Sequence, residues 1–368
     1  MQLTEEQTLL KGGADRFVKE HYDFDTRRQR ASRELGYDPE LWAQMAELGW
    51  LMLPFSEEDG GLGGSLTDVA LLAEALGHGL VLEPWFATVM LGGGLLRHAT
   101  AEAKERVLPG LMGGERLVAA GLLEPRHRFD LRACETRATE WAGRYKLQGI
   151  KSLCLAGAQA QDLVVLARTG GAVGESEGRT LFLIPGDVSG LSRHGYRLRD
   201  DHSAADLHLD GVEVGPEHVI GSVGGAGAVL DEVFARCRIA LAAEGLGIAQ
   251  GAAEVTKEYA STRTQFGRPL AGFQVLLHRM TDMFVDVETT RSLVYRAAEA
   301  TAAELPGLAA QAKLKASSAG LAVTKDAIQI HGGIGVTEEL VVGHWYRRML
   351  TVSMLLGDVA ELRLPSAA

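Results

Sequence analysis

The chain has 368 residues, 46% of them hydrophobic and 6% aromatic, enough for two or three domains whose cores need no disulfide or metal staples. Its 37 Lys and Arg against 48 Asp and Glu leave a formal net charge of -11, the wrong sign for a nucleic-acid binder, whose affinity comes from basic side chains neutralising phosphates. Cys134, Cys154 and Cys237 form no Cys-x-x-Cys and no metal-ligand spacing, and an odd number of thiols fits a reducing cytoplasm, so neither a disulfide framework nor a metal site is expected.

The N-terminus, MQLTEEQTLLKGGADRF, mixes acids with apolar residues and lacks the basic head and apolar stretch of a signal peptide. The most apolar run, LVLEPWFATVMLGGGLL, is broken by Glu83, Pro84 and glycines well short of a bilayer span. A soluble cytoplasmic protein without membrane contact is expected. From Thr4 to about residue 118 apolar residues recur at helical spacing, interrupted by the Gly-rich LPFSEEDGGLGGSLTD, in which Ser65 and Thr67 are candidate N-caps. Residues 1–118 therefore read as a helical domain. Short runs with β-branched residues follow, VAAGLLEP, RYKLQGIKSLCLAG, DLVVLART and RTLFLIPG, and mark residues 119–222 as a β domain. Beyond GSVGGAGAVLDEV the helical period returns in three long stretches, which makes residues 223–368 a helical bundle. Its many Ala and Gly residues point to close helix packing.

Two motifs stand out. STRTQFGRPLAGFQ (Ser261 to Gln274) sets Arg263, Phe266, Gly267 and Gln274 at the junction of two helices. An Arg can pair bidentately with a pyrophosphate, a Gly allows close backbone approach, and a Gln offers donor and acceptor to a heterocycle edge. The bland alternative is a turn with a capping Arg. QIHGGIGVTEE (Gln329 to Glu339) brings Gly332, Gly333 and Gly335 after a helix, a loop that either receives a phosphate or merely stops the helix.

Taken together and in this order, LPFSEEDGGLGG, LLEP, R-x-x-F-G with a downstream Gln, and Q-I-H-G-G-x-G resemble the acyl-CoA dehydrogenase family over essentially the whole chain. The resemblance implies an α+β multidomain fold: an N-terminal helical domain, a middle β-barrel-like domain and a C-terminal four-helix bundle, holding FAD and an acyl-CoA thioester. It assigns cofactor contacts to Arg263, Phe266, Gly267, Gln274, Gln329, Gly332 and Gly333. It also implies removal of an α-proton by a carboxylate while the flavin takes a hydride from Cβ, with electrons passed to an electron-transfer flavoprotein. Such chemistry requires a polarised thioester carbonyl and a desolvated base.

The chain departs from the family pattern where the flavin ring would lie. In place of T-E-P-x-x-G-S-D it has Leu123-Glu124-Pro125-Arg126-His127-Arg128-Phe129-Asp130, and in place of W-I-T it has Leu153-Cys154-Leu155 after Lys151. Both flavin-facing hydroxyls become leucine, and an alkyl chain cannot bond N5. The family's C-terminal Y-E-G-T loop aligns with Leu355-Leu356-Gly357-Asp358, and the alternative base position, before Arg238, is Cys237. Neither is a carboxylate. Glu244 follows Cys237 by seven residues, which on a helix returns to within about 20° of the same direction. In its Ala/Leu/Gly setting it is a candidate base with a raised pKa, or else a structural Glu paired with an Arg across a subunit contact. Glu244 and Arg238 are thus the candidate catalytic pair.

The phosphate-side motifs would serve a flavin bound mainly by a neighbouring subunit, whereas the lost ones would hold the chain's own. With the tail GHWYRRMLTVSMLLGDVAELR, this resembles the branch of the family in which unlike subunits form α2β2 tetramers acting on steroid side-chain and other bulky acyl-CoA thioesters. The leading expectation is a subunit that shares FAD with a second acyl-CoA dehydrogenase-like chain. The rivals are a self-sufficient homotetramer using Glu244, a non-catalytic assembly subunit without cofactor, and a related flavin oxidase or monooxygenase.

Overall fold

The structure is a computed structural model describing residues 2–127 and 130–363; Arg128 and Phe129, from the run quoted above, lie outside the described residues. In chain order its main helices are α1 (Glu5–His21), α2 (Phe24–Ala31), α3 (Pro39–Glu47), α4 (Leu66–His78), a π-helical stretch Phe86–Gly93 that runs into α5 (Gly94–Leu96), α6 (Ala101–Met112), α7 (Ala226–Thr262), α8 (Gln274–Ala298), α9 (Leu305–His331), α10 (Val341–Met354) and α11 (Val359–Arg363). Contacts divide the chain into two compact units, each discontinuous in sequence: residues 1–29, 65–81 and 238–368 form one, residues 30–64 and 82–237 the other.

The first unit is helical. α4 starts at a capping box in which Ser65 accepts the Asp68 amide and Asp68 accepts the Ser65 amide; Thr67, the other candidate cap, is buried inside the helix. From Val69 to Gly77 every residue of α4 is buried. α7 crosses it with the two backbones almost touching: a Cβ on Gly247 would lie 1.9 Å from the Glu74 carbonyl oxygen, and one on Gly77 would lie 2.2 Å from that of Glu244. The small residues are there for helix approach. Gly247→Ala is therefore expected to cost roughly 2–3 kcal/mol by forcing the helices apart. An unfolding midpoint equal to wild type would show that the crossing can widen freely. α8 packs along α9, and α9 along α10, whose Met349 lies over Gly320 of α9 and Gly245 of α7. The helical period marks three long stretches here and the family resemblance implies a four-helix bundle; the tail supplies α10, burying Val342, Trp345, Met349 and Val352 on one face.

The second unit is built on one sheet of eight strands: β1 (Val118–Gly121), β2 (Arg137–Trp141), β3 (Arg144–Leu155), β4 (Asp162–Arg168), β5 (Arg179–Pro185), β6 (Leu191–Arg197), β7 (Ser203–Val214) and β8 (Val219–Ile220). Their order is β6-β7-β3-β2-β4-β5-β8, with β1 parallel to β4. The path ends at β6 and β8, so the barrel-like closure expected from the family pattern is corrected to an open sheet. Every residue of β4 is buried, and all of β5 except Pro185, which is why DLVVLAR and RTLFLIP read as continuous apolar runs. β7 alternates instead, with Leu207, Leu209, Val212 and Val214 buried and His208, Asp210 and Glu213 exposed. A register shift in β3 between Lys151 and Cys154 leaves Leu153 in the left-handed region at φ 52°.

Candidate cofactor and catalytic sites

α7 ends at Thr262, and two short antiparallel strands, β9 (Thr264–Gln265) and β10 (Arg268–Pro269), carry the first motif as a tight hairpin. Phe266 and Gly267 form its tip with φ 52° and 80°, the pair of positive values that a two-residue hairpin turn demands. For Gly267 this is easy; for Phe266 it is an uncommon conformation that leaves the ring 92% exposed. The side chains of Arg263 and Gln274 are also exposed, and neither has a hydrogen-bond or ion-pair partner among the described residues.

The second motif closes α9. Gln329 is exposed and likewise unpartnered among the described residues, Gly332 takes φ 68°, and residues 332–336 form a single 3-10 turn. A Cβ on Gly267, Gly332 or Gly333 would meet nothing within 4 Å, so at Gly333, whose φ is ordinary, the chain itself gives no reason for glycine. The two motifs are linked by aromatic stacking: the rings of Tyr259, one turn before Arg263, and His331, next to Gly332, lie 4.3 Å apart at 24°. His331 is 4% exposed and bonds the Ala327 carbonyl through Nδ1 at 2.8 Å; burial pushes its pKa below the ordinary histidine value. A stacked, neutral His thus fixes the end of α9 against the end of α7. The patch combines a free guanidinium, two free amides, an exposed ring and an uncovered glycine turn, which suits a polyanionic ligand carrying a heterocycle.

The segment expected to face a flavin ring lies in the second unit. Lys151 is fully buried and its Nζ donates to Glu124 Oε1 at 2.6 Å; the Glu124 carboxylate also accepts the amides of Thr136 (2.9 Å) and Glu135 (2.7 Å). Burial alone would push the Glu124 carboxyl up, but the Lys151 charge and these bonds outweigh it and hold the pKa at about 2. Donor atoms of Glu124, His127 and Glu135 approach within 4.8 Å of one another, yet the cation at this carboxylate is already the lysine. Beyond Lys151, the Leu153 amide is taken by the Tyr196 hydroxyl (3.2 Å) and Asp206 (3.3 Å), Cys154 is buried with its thiol pushed up to about 12 by desolvation, and Leu155 is 8% exposed. Leu153-Cys154-Leu155 offers no free hydroxyl.

Glu244 sits on α7 with its carboxylate on Arg348 of α10, Nε to Oε1 2.5 Å; the side chains are 13% and 5% exposed. Arg238, the other candidate catalytic residue, donates Nε to the Leu356 carbonyl at 2.9 Å. Lys313 of α9 donates to the carbonyls of Ser353 (3.3 Å) and Gly357 (3.5 Å), so two cations hold the loop after α10, where Leu356 has φ 55°. Cys237, in the second unit, is fully buried and its thiol donates to the Met90 carbonyl at 3.2 Å.

Two family models match the chain: "Acyl-CoA dehydrogenase, N-terminal domain" over residues 4–115 and "Acyl-CoA dehydrogenase, C-terminal domain" over residues 224–363. A short-chain specific acyl-CoA dehydrogenase of Clostridium acetobutylicum is 33% identical over 83% of this chain and 82% of its own length. The chain belongs to the acyl-CoA dehydrogenase family. Among solved structures, a variant of the Tcur3481-Tcur3483 steroid ACAD matches with a TM-score of 0.86 at 30% identity, covering 97% of this chain and 95% of that one. The ChsE4-ChsE5 complex from Mycobacterium tuberculosis matches with a TM-score of 0.88 at 25% identity, over 98% and 96%.

As an acyl-CoA dehydrogenase family member the chain is an oxidoreductase. The candidate cofactor residues from Arg263 to Gln274 and from Gln329 to Gly333 are legible as candidates because they sit in short contiguous motifs. The Tyr259–His331 stack, the Lys151–Glu124 pair and the clamps of Arg238 and Lys313 were not singled out, although a Lys amid SLCLAG and another amid AAQA are cations in apolar surroundings that burial must neutralise.

Proposed function

We propose that this chain is a subunit of a FAD-dependent acyl-CoA dehydrogenase that oxidises the α,β-bond of an acyl-CoA thioester and shares its flavin with an unlike partner chain. FAD is its cofactor. FAD supplies the hydride acceptor; Arg263, Gln274, Gln329, Phe266, Gly267, Gly332 and Gly333 are the residues that would hold its phosphate and adenosine side. The observation that carries the heteromeric reading is the contrast between those unpartnered, outward-facing groups and Leu153-Cys154-Leu155, whose amide is spent and whose side chains bring no donor for a flavin ring. Glu244 is engaged by Arg348, so the carboxylate that takes the α-proton is assigned to the partner. The likeness to the steroid ACAD and to the ChsE4-ChsE5 complex supports a bulky acyl group and an α2β2 assembly. Electrons then pass to an electron-transfer flavoprotein, and three buried cysteines outside any disulfide suit the cytoplasm.

Purified alone, the chain is expected to be colourless; co-expressed with its partner, it is expected to acquire one flavin per two chains. Near-stoichiometric flavin in the lone protein would instead establish the homotetramer. In the assembled enzyme Arg263→Ala should weaken FAD retention by removing a charge-assisted contact of about 1.5–3 kcal/mol. Unchanged flavin occupancy after exhaustive dialysis would remove Arg263 from the site.

A further inference from the structure

In the second unit the stretch Phe86–Arg97 runs antiparallel to the first part of α7. Met90 faces Cys237 (Sγ to carbonyl 3.2 Å), a Cβ on Gly94 would lie 3.1 Å from Val233, and His98 lies 3.6 Å from Glu232. The absence of a side chain at Gly94 allows this approach, and two half-buried arginines, Arg97 and Arg236, lie on the adjoining helices. Arg97 Nε is buried without a hydrogen-bond partner. Among the described residues no carboxylate stands within ion-pair distance of either guanidinium. The acids nearby are engaged: Asp59 holds Lys104 at 2.7 Å and the Ser56 hydroxyl at 3.0 Å, and Glu232 faces His98. Burial, and then the Arg97 charge, push the Arg236 pKa below its ordinary value against the opposing pull of Glu232, and Asp59 lies within electrostatic reach of Arg97.

Two like charges brought together in a half-buried setting, with Asp59 and Glu232 acting on them only from beyond ion-pair distance, favour an anion bonded directly to both. A guanidinium is planar, permanently charged and forked to match an oxyanion, so the anion this geometry suits is a carboxylate or a phosphate. We propose that Arg97 and Arg236 form a binding site for one oxyanion of a small ligand. On the acyl-CoA dehydrogenase reading, on which only the ligand's source depends, that oxyanion is either a second carboxylate on the acyl group or a phosphate of the coenzyme.

The site is tested by thermal unfolding of the full chain in inorganic phosphate against chloride at matched ionic strength, for wild type, Arg97→Gln and Arg236→Gln. Phosphate should raise the wild-type midpoint by about 2 °C or more, through mass action on the folded state, and leave both variants unmoved. Without phosphate the variants should be no less stable than wild type, because each removes one of two repelling charges; a structural arginine would behave oppositely. No phosphate shift in wild type, or the same shift in all three proteins, overturns the site. The source is then read from the affinities of glutaryl-CoA and butyryl-CoA for the assembled enzyme. A loss of about 10-fold or more on Arg236→Gln confined to glutaryl-CoA identifies the acyl carboxylate, and an equal loss for both identifies the coenzyme phosphate. No loss for either, with the phosphate shift intact, keeps the anion site and removes the thioester as its ligand.

Discussion

Lys151→Met is expected to destabilise the protein by about 3–5 kcal/mol, because it strands the Glu124 carboxylate in a site where no other cation among the described residues is bonded to it. For a unit of this size that corresponds to a fall of roughly 10 °C in the unfolding midpoint. The double variant Glu124→Gln with Lys151→Met should recover much of the loss, since a buried pair replaced by neutral groups of similar size is often nearly neutral whereas a broken one is not. A loss below about 1 kcal/mol in the single variant would mean that the pair behaves as an exposed one. The same pair sets an acid limit. The Glu124 pKa is about 2 in the fold against 4.5 ordinarily, so the unfolded chain binds the proton first; the pair's contribution is complete above pH 4.5 and is lost as pH falls towards 2. Lys151→Met should flatten the wild-type stability profile in that window. The consequence reaches the candidate flavin-facing segment, since Lys151 anchors β3 just before the shift that carries Leu153.

Arg348→Ala is expected to cost about 3 kcal/mol or more, for the corresponding reason that Glu244 would keep its charge in a mostly buried setting without its bonded arginine. Glu244→Gln separates structure from chemistry. With Glu244 as an ion-pair partner only, the variant assembled with its partner chain should bleach bound FAD on substrate addition within about threefold of the wild-type rate, and its effect should appear in thermal stability. Were Glu244 the base, bleaching would slow by about 10²- to 10⁴-fold with flavin content unchanged. Stopped-flow measurement of that single rate decides between the two.

The placement of elements was largely legible because it depends on local periodicity. The runs DLVVLART and RTLFLIPG became β4 and β5, and Ser65 capped α4, each dictated by residues a few positions apart. β6 was not singled out, since an edge strand reading LSRHGYR is polar on both faces and carries no hydrophobic period. β7 did carry one, in DLHLDGVEV, where Leu207, Leu209 and the Val212/Val214 pair alternate with polar residues.

The sequence by itself determined the family and marked Arg263, Phe266, Gly267, Gln274, Gln329, Gly332 and Gly333 as candidates, because each motif is contiguous. It also determined that no hydroxyl stands at residues 123 and 155, a matter of residue identity alone. Only the tertiary structure decided which residue Glu244 contacts. Its helix position is common to a base and to a structural partner, and the choice rests on Arg348, 104 residues away, a distance no periodicity spans. Tertiary packing likewise set Tyr259 against His331, buried Lys151 on Glu124, and brought Arg97 beside Arg236 with no ion pair to either among the described residues. Ion pairs and ring stacks act over a few ångströms, so which residues meet is settled by the packing of helices and strands far apart in the chain.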